Sequence, residues 1–346
     1  MRVQPATLLL GALLLAGCAG DDAQHTHTFT ALGTLIVVEI HGPDGDMAAL
    51  ATTAVEDRFR QIGHEWYAWG SGELGRINAA LARGEPAPVS AELGALIRRA
   101  LAVRDLSDGY FDPAVGSLVE SWGFHDTNAG PVTPPGEAWL AEWRSTAAQR
   151  AGLTVDHGVV RAPGPMKIAL GGIAKGTALT IALQLLRDYG IENALIDAGG
   201  DLAAIGSKDG RAWRVGIRDP AAADVLGVVD LEPGEAIVSS GNYERYFEDG
   251  GRCYHHLLDP HSGLPVEHTA GVTVIHDDAE LADAAATALM AAGPERFMRL
   301  TARLGIGLAM LVTTNGDIVA TPAMRDRLDP TATNAARWPV APADAR

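Results

Sequence analysis

From residue 166 onward the chain is punctuated by paired glycines, and that punctuation limits what it can fold into. A strand predicted at 166–170 (MKIAL) runs into Gly171-Gly172, and a helix from about Ala174 to Tyr189 follows, stopped by Gly190. Another strand at 193–197 ends in Asp197-Ala198-Gly199-Gly200-Asp201. Strands are then predicted at 212–217, 225–231, 235–240, Tyr254–Leu258 and Val272–His276, before a helix at about 279–292 stops at Gly293-Pro294. Several strands in a row with no helix between them do not make a regular βαβ repeat, so the fold class is α+β. The first half carries more helix. It reads as a strand at 29–40, a turn at Gly42–Gly45, a helix from Met47 to about Trp66, a short helix ending at Gly84, and a helix from Ala91 to Ser107. Residues 110–124 begin with a proline-containing turn and continue as helix, and the polar 125–140 is the best linker candidate. No internal repeat is visible.

Composition narrows the class. The 346 residues carry 27 Lys+Arg against 43 Asp+Glu, a formal charge of −16, which argues against nucleic acid or an anionic membrane surface as the partner. With 47% hydrophobic residues the chain is too apolar to be disordered and long enough for one large or two modest domains. Two cysteines cannot build a disulfide scaffold.

The N-terminus predicts export. Ala6–Ala16 (ATLLLGALLLA) is apolar but falls short of the about 20 residues a spanning helix needs, and it suits the core of a signal peptide. It ends in Leu15-Ala16-Gly17-Cys18, which resembles a bacterial lipobox. The expectation is a signal at 1–17, a lipid on Cys18, a polar tether at 18–28 and a membrane-anchored chain facing the periplasm or the outer face of the membrane. An ordinary secretory signal with a chance cysteine is the plainer alternative. With Cys18 acylated, Cys253 has no partner.

Three segments carry chemistry. In HDDAELADAAATAL, Asp283 and Thr287 stand one helical turn apart on one face, oxygens suited to a hard cation such as Mg²⁺; alternatively Thr287 bonds back to its own helix and Asp283 is simply solvated. In KIALGGIAKG, two glycines before a helix leave amides free for an anion, and Lys175 in the first turn opposes the helix dipole, which calls for an anionic partner. A tight turn with a surface lysine accounts for the same letters. In CYHHLLDPHSGLP, a strand sends His255 and His256 to opposite faces, so only one can enter a given site, where it can accept a hydroxyl proton. No C-x-x-C, H-E-x-x-H, G-x-S-x-G or Walker loop occurs.

Taken in order, LGT (32–34), ELGRIN (73–78), FDPAVGSLVESWGF (111–124), LGGIAKG (170–176), DAGGDL (197–202), SSGNYERYF (239–247), YHHLLDPHSGLP (254–265) and ADAAATAL (282–289) resemble the ApbE family of FAD:protein FMN transferases. The resemblance runs over roughly 30–320. It implies an α+β, T-fold-related architecture with a nucleotide cleft between a larger and a smaller subdomain, a transferase domain at 29–325 and a tail at 326–346. It implies Mg²⁺-dependent transfer of the FMN half of FAD to a Thr or Ser hydroxyl of a target flavoprotein, with release of AMP. By the same resemblance the Gly172 carbonyl, Asp283 and Thr287 hold Mg²⁺, and Lys175, the Trp122-Gly123-Phe124 turn and the Leu257 backbone contact FAD. His256, by its place in H-x-x-D-P, is the general base.

The chain departs from the family pattern at Ala169, Thr177, Gly72-Glu73 and Ala286. A tyrosine that packs near the flavin in the family falls at Ala68, leaving Tyr67 or Trp69 to cover the ring. An FAD pyrophosphatase releasing free FMN and a non-enzymatic flavin-binding lipoprotein are the competing readings.

Overall fold

The computed structural model describes residues 24–42, 45–126, 132–331, 334 and 337. The signal segment and Cys18 lie outside the described residues. The centre is an eight-stranded sheet whose spatial order follows the chain: Gln24–Ala31, Thr34–His41, Ala194–Ala198, Leu202–Ile205, Ala236–Gly241, Thr269–His276, Leu308–Thr313 and Ile318–Ala320. Every neighbouring pair is antiparallel, so the sheet is a meander into whose connections the remaining elements are inserted.

Alternation along these strands makes two cores. Val272 and Val274, with Ala309 and Leu311, face the helices Gly45–Glu65, Ala174–Asp188 and Ala279–Ala292; Ile275, Met310 and Val312 face the other way. The second face is covered by a three-stranded sheet, Trp213–Arg218, Val225–Leu231 and Asp329–Pro330, through Trp213, Val215, Leu226 and Leu231. The Ala279–Ala292 helix is buried on nearly all sides, and its alanines let the sheet and the Ala174–Asp188 helix approach closely. A smaller apolar cluster of Leu118, Trp122, Phe124 and Trp143 gathers Trp139, Phe247 and Tyr254 around it.

Several elements differ from expectation. The predicted strand at 29–40 is a hairpin that turns at Leu32-Gly33, and residues 24–28 of the expected tether belong to its first strand. There the polar letters read as loop, yet His27 meets Glu56 at 2.5 Å and Phe29 is buried, so one side of an edge strand is held. The expected tail from 326 is ordered at its start, where Asp329–Pro330 closes the small sheet. Residues 166–170 join no sheet. Their backbone is satisfied instead by the Asn78 side chain and by residues 113–116, so extended geometry exists without a ladder. Part of the expected linker is helix, Glu137–Ser145. Among the described residues no helix is long and apolar enough to cross a membrane.

Candidate active site

The Gly171-Gly172 turn delivers the chain onto the Ala174–Asp188 helix, and the Ala279–Ala292 helix packs against its first turn. The packing is close because Gly176 lacks a side chain: a Cβ there would lie 2.1 Å from the Ala279 carbonyl oxygen. The Gly176 N–H donates to Asp283 Oδ2 at 2.9 Å, which aims that carboxylate at an amide-rich helix start. Gly172 also lies close to Thr287, whose Oγ1 would be 2.8 Å from a Cβ on it. The backbone of Gly172 and the side chains of Asp283 and Thr287 are thus brought together. Among the described residues no group of three or more His, Cys, Asp or Glu is placed to hold a metal ion. A carboxylate, a hydroxyl and a carbonyl make an all-oxygen donor set that fits Mg²⁺ bound mainly through phosphate.

Lys175 has the anionic partner its position called for. Its Nζ lies 2.5 Å from Oδ2 of Asp201, which is fully buried and whose Oδ1 accepts the Ser239 N–H at 3.0 Å. Burial alone would lower the Lys175 pKa, but the charges of Asp201, Asp283 and Glu244 outweigh it and hold the ammonium above its usual range. Asp283 moves the opposite way: burial, with Asp201 adding to it, pushes its carboxyl up to about 7 against the pull of Lys175 and the Gly176 N–H. A divalent cation would relieve that burial of charge. Asp201 and Glu244 were not singled out from the sequence, although DAGGDL and SSGNYERYF contain them. The turn of DAGGDL also explains its glycines, since Gly199 has φ +69° and a Cβ on it would meet Thr34 of LGT at 2.1 Å.

The two histidines take different partners. His255 is buried, donates through Nε2 to the Val266 carbonyl at 2.6 Å and accepts at Nδ1 from the Leu257 N–H, so it is a structural residue. His256 turns the other way. Its Nδ1 faces the Arg245 carbonyl at 3.2 Å, and because a carbonyl only accepts, Nδ1 carries the proton and Nε2 has a free lone pair. Burial, followed by the nearby Arg245 charge, drops its pKa to about 3, so the ring is neutral at pH 7. The following turn is gripped by the aromatic cluster: Trp122 Nε1 donates to Gly263 O at 2.8 Å, and Trp143 Nε1 to Pro260 O at 2.9 Å. Buried Arg150 bonds the same Pro260 carbonyl, stands 3.6 Å over the Trp143 ring and pairs with Asp112 of the FDP block.

This grip sorts the FAD contacts expected from the sequence. The Trp122 side chain is buried and its N–H donates to the Gly263 carbonyl, so the ring supports the turn. Gly123 has φ +73°, and the Phe124 ring lies edge-on to His256 with centroids 6.3 Å apart. Leu257 already uses its backbone N–H to His255 and its carbonyl to Val266, leaving the second lone pair of that carbonyl. Of the two aromatic candidates, Tyr67 is exposed and bonds the His125 carbonyl at 2.6 Å, whereas Trp69 is half-buried and its indole N–H has no hydrogen-bond partner among the described residues. Both neighbour buried Ala68. Asn78 of ELGRIN, also missed as an individual residue, ties this segment to the glycine turn: Nδ2 donates to Ala68 O and Ile168 O, and Oδ1 accepts from Ile168 N–H at 2.7 Å.

The sequence profile of the ApbE family matches residues 32–312. A protein of Rhodobacter capsulatus named FAD:protein FMN transferase is 41% identical over 92% of this chain, and the chain spans 60% of that protein's length. The FAD:protein FMN transferase of Vibrio cholerae is 31% identical over 89% of this chain and 93% of its own. Among solved structures, the ApbE protein of Thermotoga maritima superposes with a TM-score of 0.81 at 30% identity, covering 88% of this chain and 99% of that one. The flavinyl transferase ApbE of Pseudomonas stutzeri gives 0.76 at 29% identity, covering 88% and 97%.

Proposed function

The chain belongs to the ApbE family of FAD:protein FMN transferases, and on that premise we propose that it moves FMN from FAD to a Thr or Ser hydroxyl of a target flavoprotein, releasing AMP. The observation that carries this reading is the meeting of Gly172, Asp283 and Thr287 beside Lys175, with His256 presenting a free Nε2. Gly172, Asp283 and Thr287 would hold Mg²⁺, which supplies charge neutralisation at the pyrophosphate when bound. Lys175, kept protonated and oriented by Asp201, contributes a second fixed positive charge for the pyrophosphate. His256 Nε2 takes the proton of the attacking hydroxyl, and its orientation is secured by the Arg245 carbonyl on the opposite nitrogen. Most of the barrier lowering in such a transfer comes from positioning and fixed charge, which suits a site built at two helix starts. We place the chain at the membrane through a lipid on Cys18, on the exported side, where it meets its target.

An FAD pyrophosphatase uses the same groups with water as the nucleophile, and His256, with a fifth of its side chain exposed, is open to water. One incubation separates the readings. The chain is mixed with FAD, Mg²⁺ and a candidate acceptor protein, and AMP and protein-bound flavin fluorescence are followed. Transfer gives both, hydrolysis gives AMP with free FMN, and no AMP overturns both enzymatic readings. Asp283→Ala is expected to abolish AMP release. His256→Asn is expected to lower kcat far more than it weakens FAD binding, and full activity in either variant removes the assigned role.

A further inference from the structure

We propose that Glu244 works through His256 as a positioning and proton-holding partner, an inference that rests on the reading of His256 as the base. Glu244 lies in the turn after the Ala236–Gly241 strand, and its Oε2 is 4.0 Å from His256 Nε2. No hydrogen bond of the Glu244 carboxylate is found among the described residues, unlike Asp201 and Asp283, which accept backbone N–H groups. The side chain is one-third exposed, so the reacting hydroxyl can approach the space between it and the imidazole. With Nδ1 bonded to the Arg245 carbonyl, the nitrogen that receives a proton is the one that faces Glu244.

The step balances as follows. The acceptor hydroxyl oxygen forms a bond to the FMN phosphorus, the anhydride bond to the AMP phosphate breaks with its electrons leaving on AMP, and the hydroxyl proton passes to His256 Nε2. The imidazolium N–H then faces the Glu244 carboxylate, which stabilises the cation and takes the proton before it is released to water. Proton affinities run in that direction: burial raises the Glu244 carboxyl to about 6, while burial and Arg245 lower His256 to about 3. The other groups acting on the pair are Lys175, Asp201, Asp283, Tyr243, Arg245 and Arg218 around Glu244, and Arg245, His255 and Lys175 around His256.

The test compares Glu244→Gln, His256→Asn and the double variant at saturating Mg²⁺, on an acceptor protein that the wild-type chain labels. FAD binding is read separately by quenching of flavin fluorescence. Glu244→Gln is expected to leave FAD binding unchanged or tighter and to lower kcat by about 10- to 100-fold. The wild-type rate should fall as pH drops through about 6, and that limb should vanish in Glu244→Gln, which a purely structural role would not produce. Glu244→Asp should restore part of the rate, and the double variant should be no slower than His256→Asn. Wild-type kcat in Glu244→Gln, or losses that multiply in the double variant, overturns the pairing while leaving His256 as base. Full activity in His256→Asn overturns the underlying reading itself.

Discussion

Replacing Gly176 with alanine should destabilise this chain, against the usual direction of that change. In an exposed helix interior, glycine to alanine gains about 1 kcal/mol, because alanine loses less backbone freedom on folding. Gly176 is buried in the first turn of the Ala174–Asp188 helix, and a Cβ there would lie 2.1 Å from Ala279 O and 2.9 Å from Asp283 Cβ. Carbon atoms in contact prefer about 3.5–4.0 Å. The oxygen is backbone at the start of a packed helix, so it cannot swing aside and the two helices must part. Overpacking of this kind costs about 1–3 kcal/mol. Parting the helices also stretches the 2.9 Å bond from Gly176 N–H to the Asp283 carboxyl, a charge-assisted contact worth about 1.5–3 kcal/mol above about pH 7, where that carboxyl is ionised. Set against the propensity gain, the net loss is about 2–5 kcal/mol, a fall in Tm of about 3–7 °C for a chain this long. The control sits in the same motif: Gly171 is exposed and a Cβ on it meets nothing within 4 Å. Gly171→Ala should therefore stay within about 0.5 kcal/mol of wild type. Thermal unfolding of the two variants by circular dichroism decides the matter. A Gly176→Ala protein as stable as wild type, or more so, refutes the close-contact argument.

Asn78→Ala should lower Tm and weaken FAD binding together, since it strands the Ala68 carbonyl and both polar groups of Ile168. At about 1–3 kcal/mol for each buried unsatisfied group, a loss of several kcal/mol is expected, and an unchanged Tm contradicts the clamp. For Asp283 the sign of the pH effect follows from a carboxyl raised to about 7 by burial and Asp201. Between about pH 4 and pH 7 the folded state keeps a proton there that the unfolded state has released, so metal-free stability falls as pH rises through that window. Asp283→Asn should therefore gain Tm relative to wild type from pH 5 to 8 in the presence of EDTA. A constant Tm difference across that range would remove Asp283 as its cause.

How much of this was legible in the letters depends on how local each signal is. Asp283 and Thr287 were placed on one face by helical spacing, and the structure keeps them together beside Gly172. His255 and His256 do take different partners, but the strand expected over Tyr254–Leu258 runs from Arg252 to His255, and His256 lies in the bend after it, so the turn rather than strand alternation sends it toward Arg245. The anionic partner of Lys175 was called for by the helix dipole, but Asp201 stood unrecognised in DAGGDL because only the folded sheet brings them to 2.5 Å. Glu244 was hidden for the same reason. The structural role of the Trp122 ring was not legible either, because only the path of the 259–263 turn brings Gly263 to its N–H. The 166–170 strand failed because a side-chain amide, Asn78, satisfies backbone that periodicity assigned to a ladder.

The sequence by itself determined the α+β class, the starts and stops of the long helices at 47–66, 91–107, 174–189 and 279–292, and the family. Those follow from backbone preferences and from the periods of helix and strand, which act over a few residues. Only the tertiary structure decided which motifs face one another, and so which glycines are indispensable and which carboxylate holds Lys175. The Gly172–Lys175 helix start, Asp201, Glu244, His256 and Asp283 come from separate segments of the chain. They meet because an antiparallel meander has a single register that buries both of its faces, and that register is a property of the packed core rather than of any one segment.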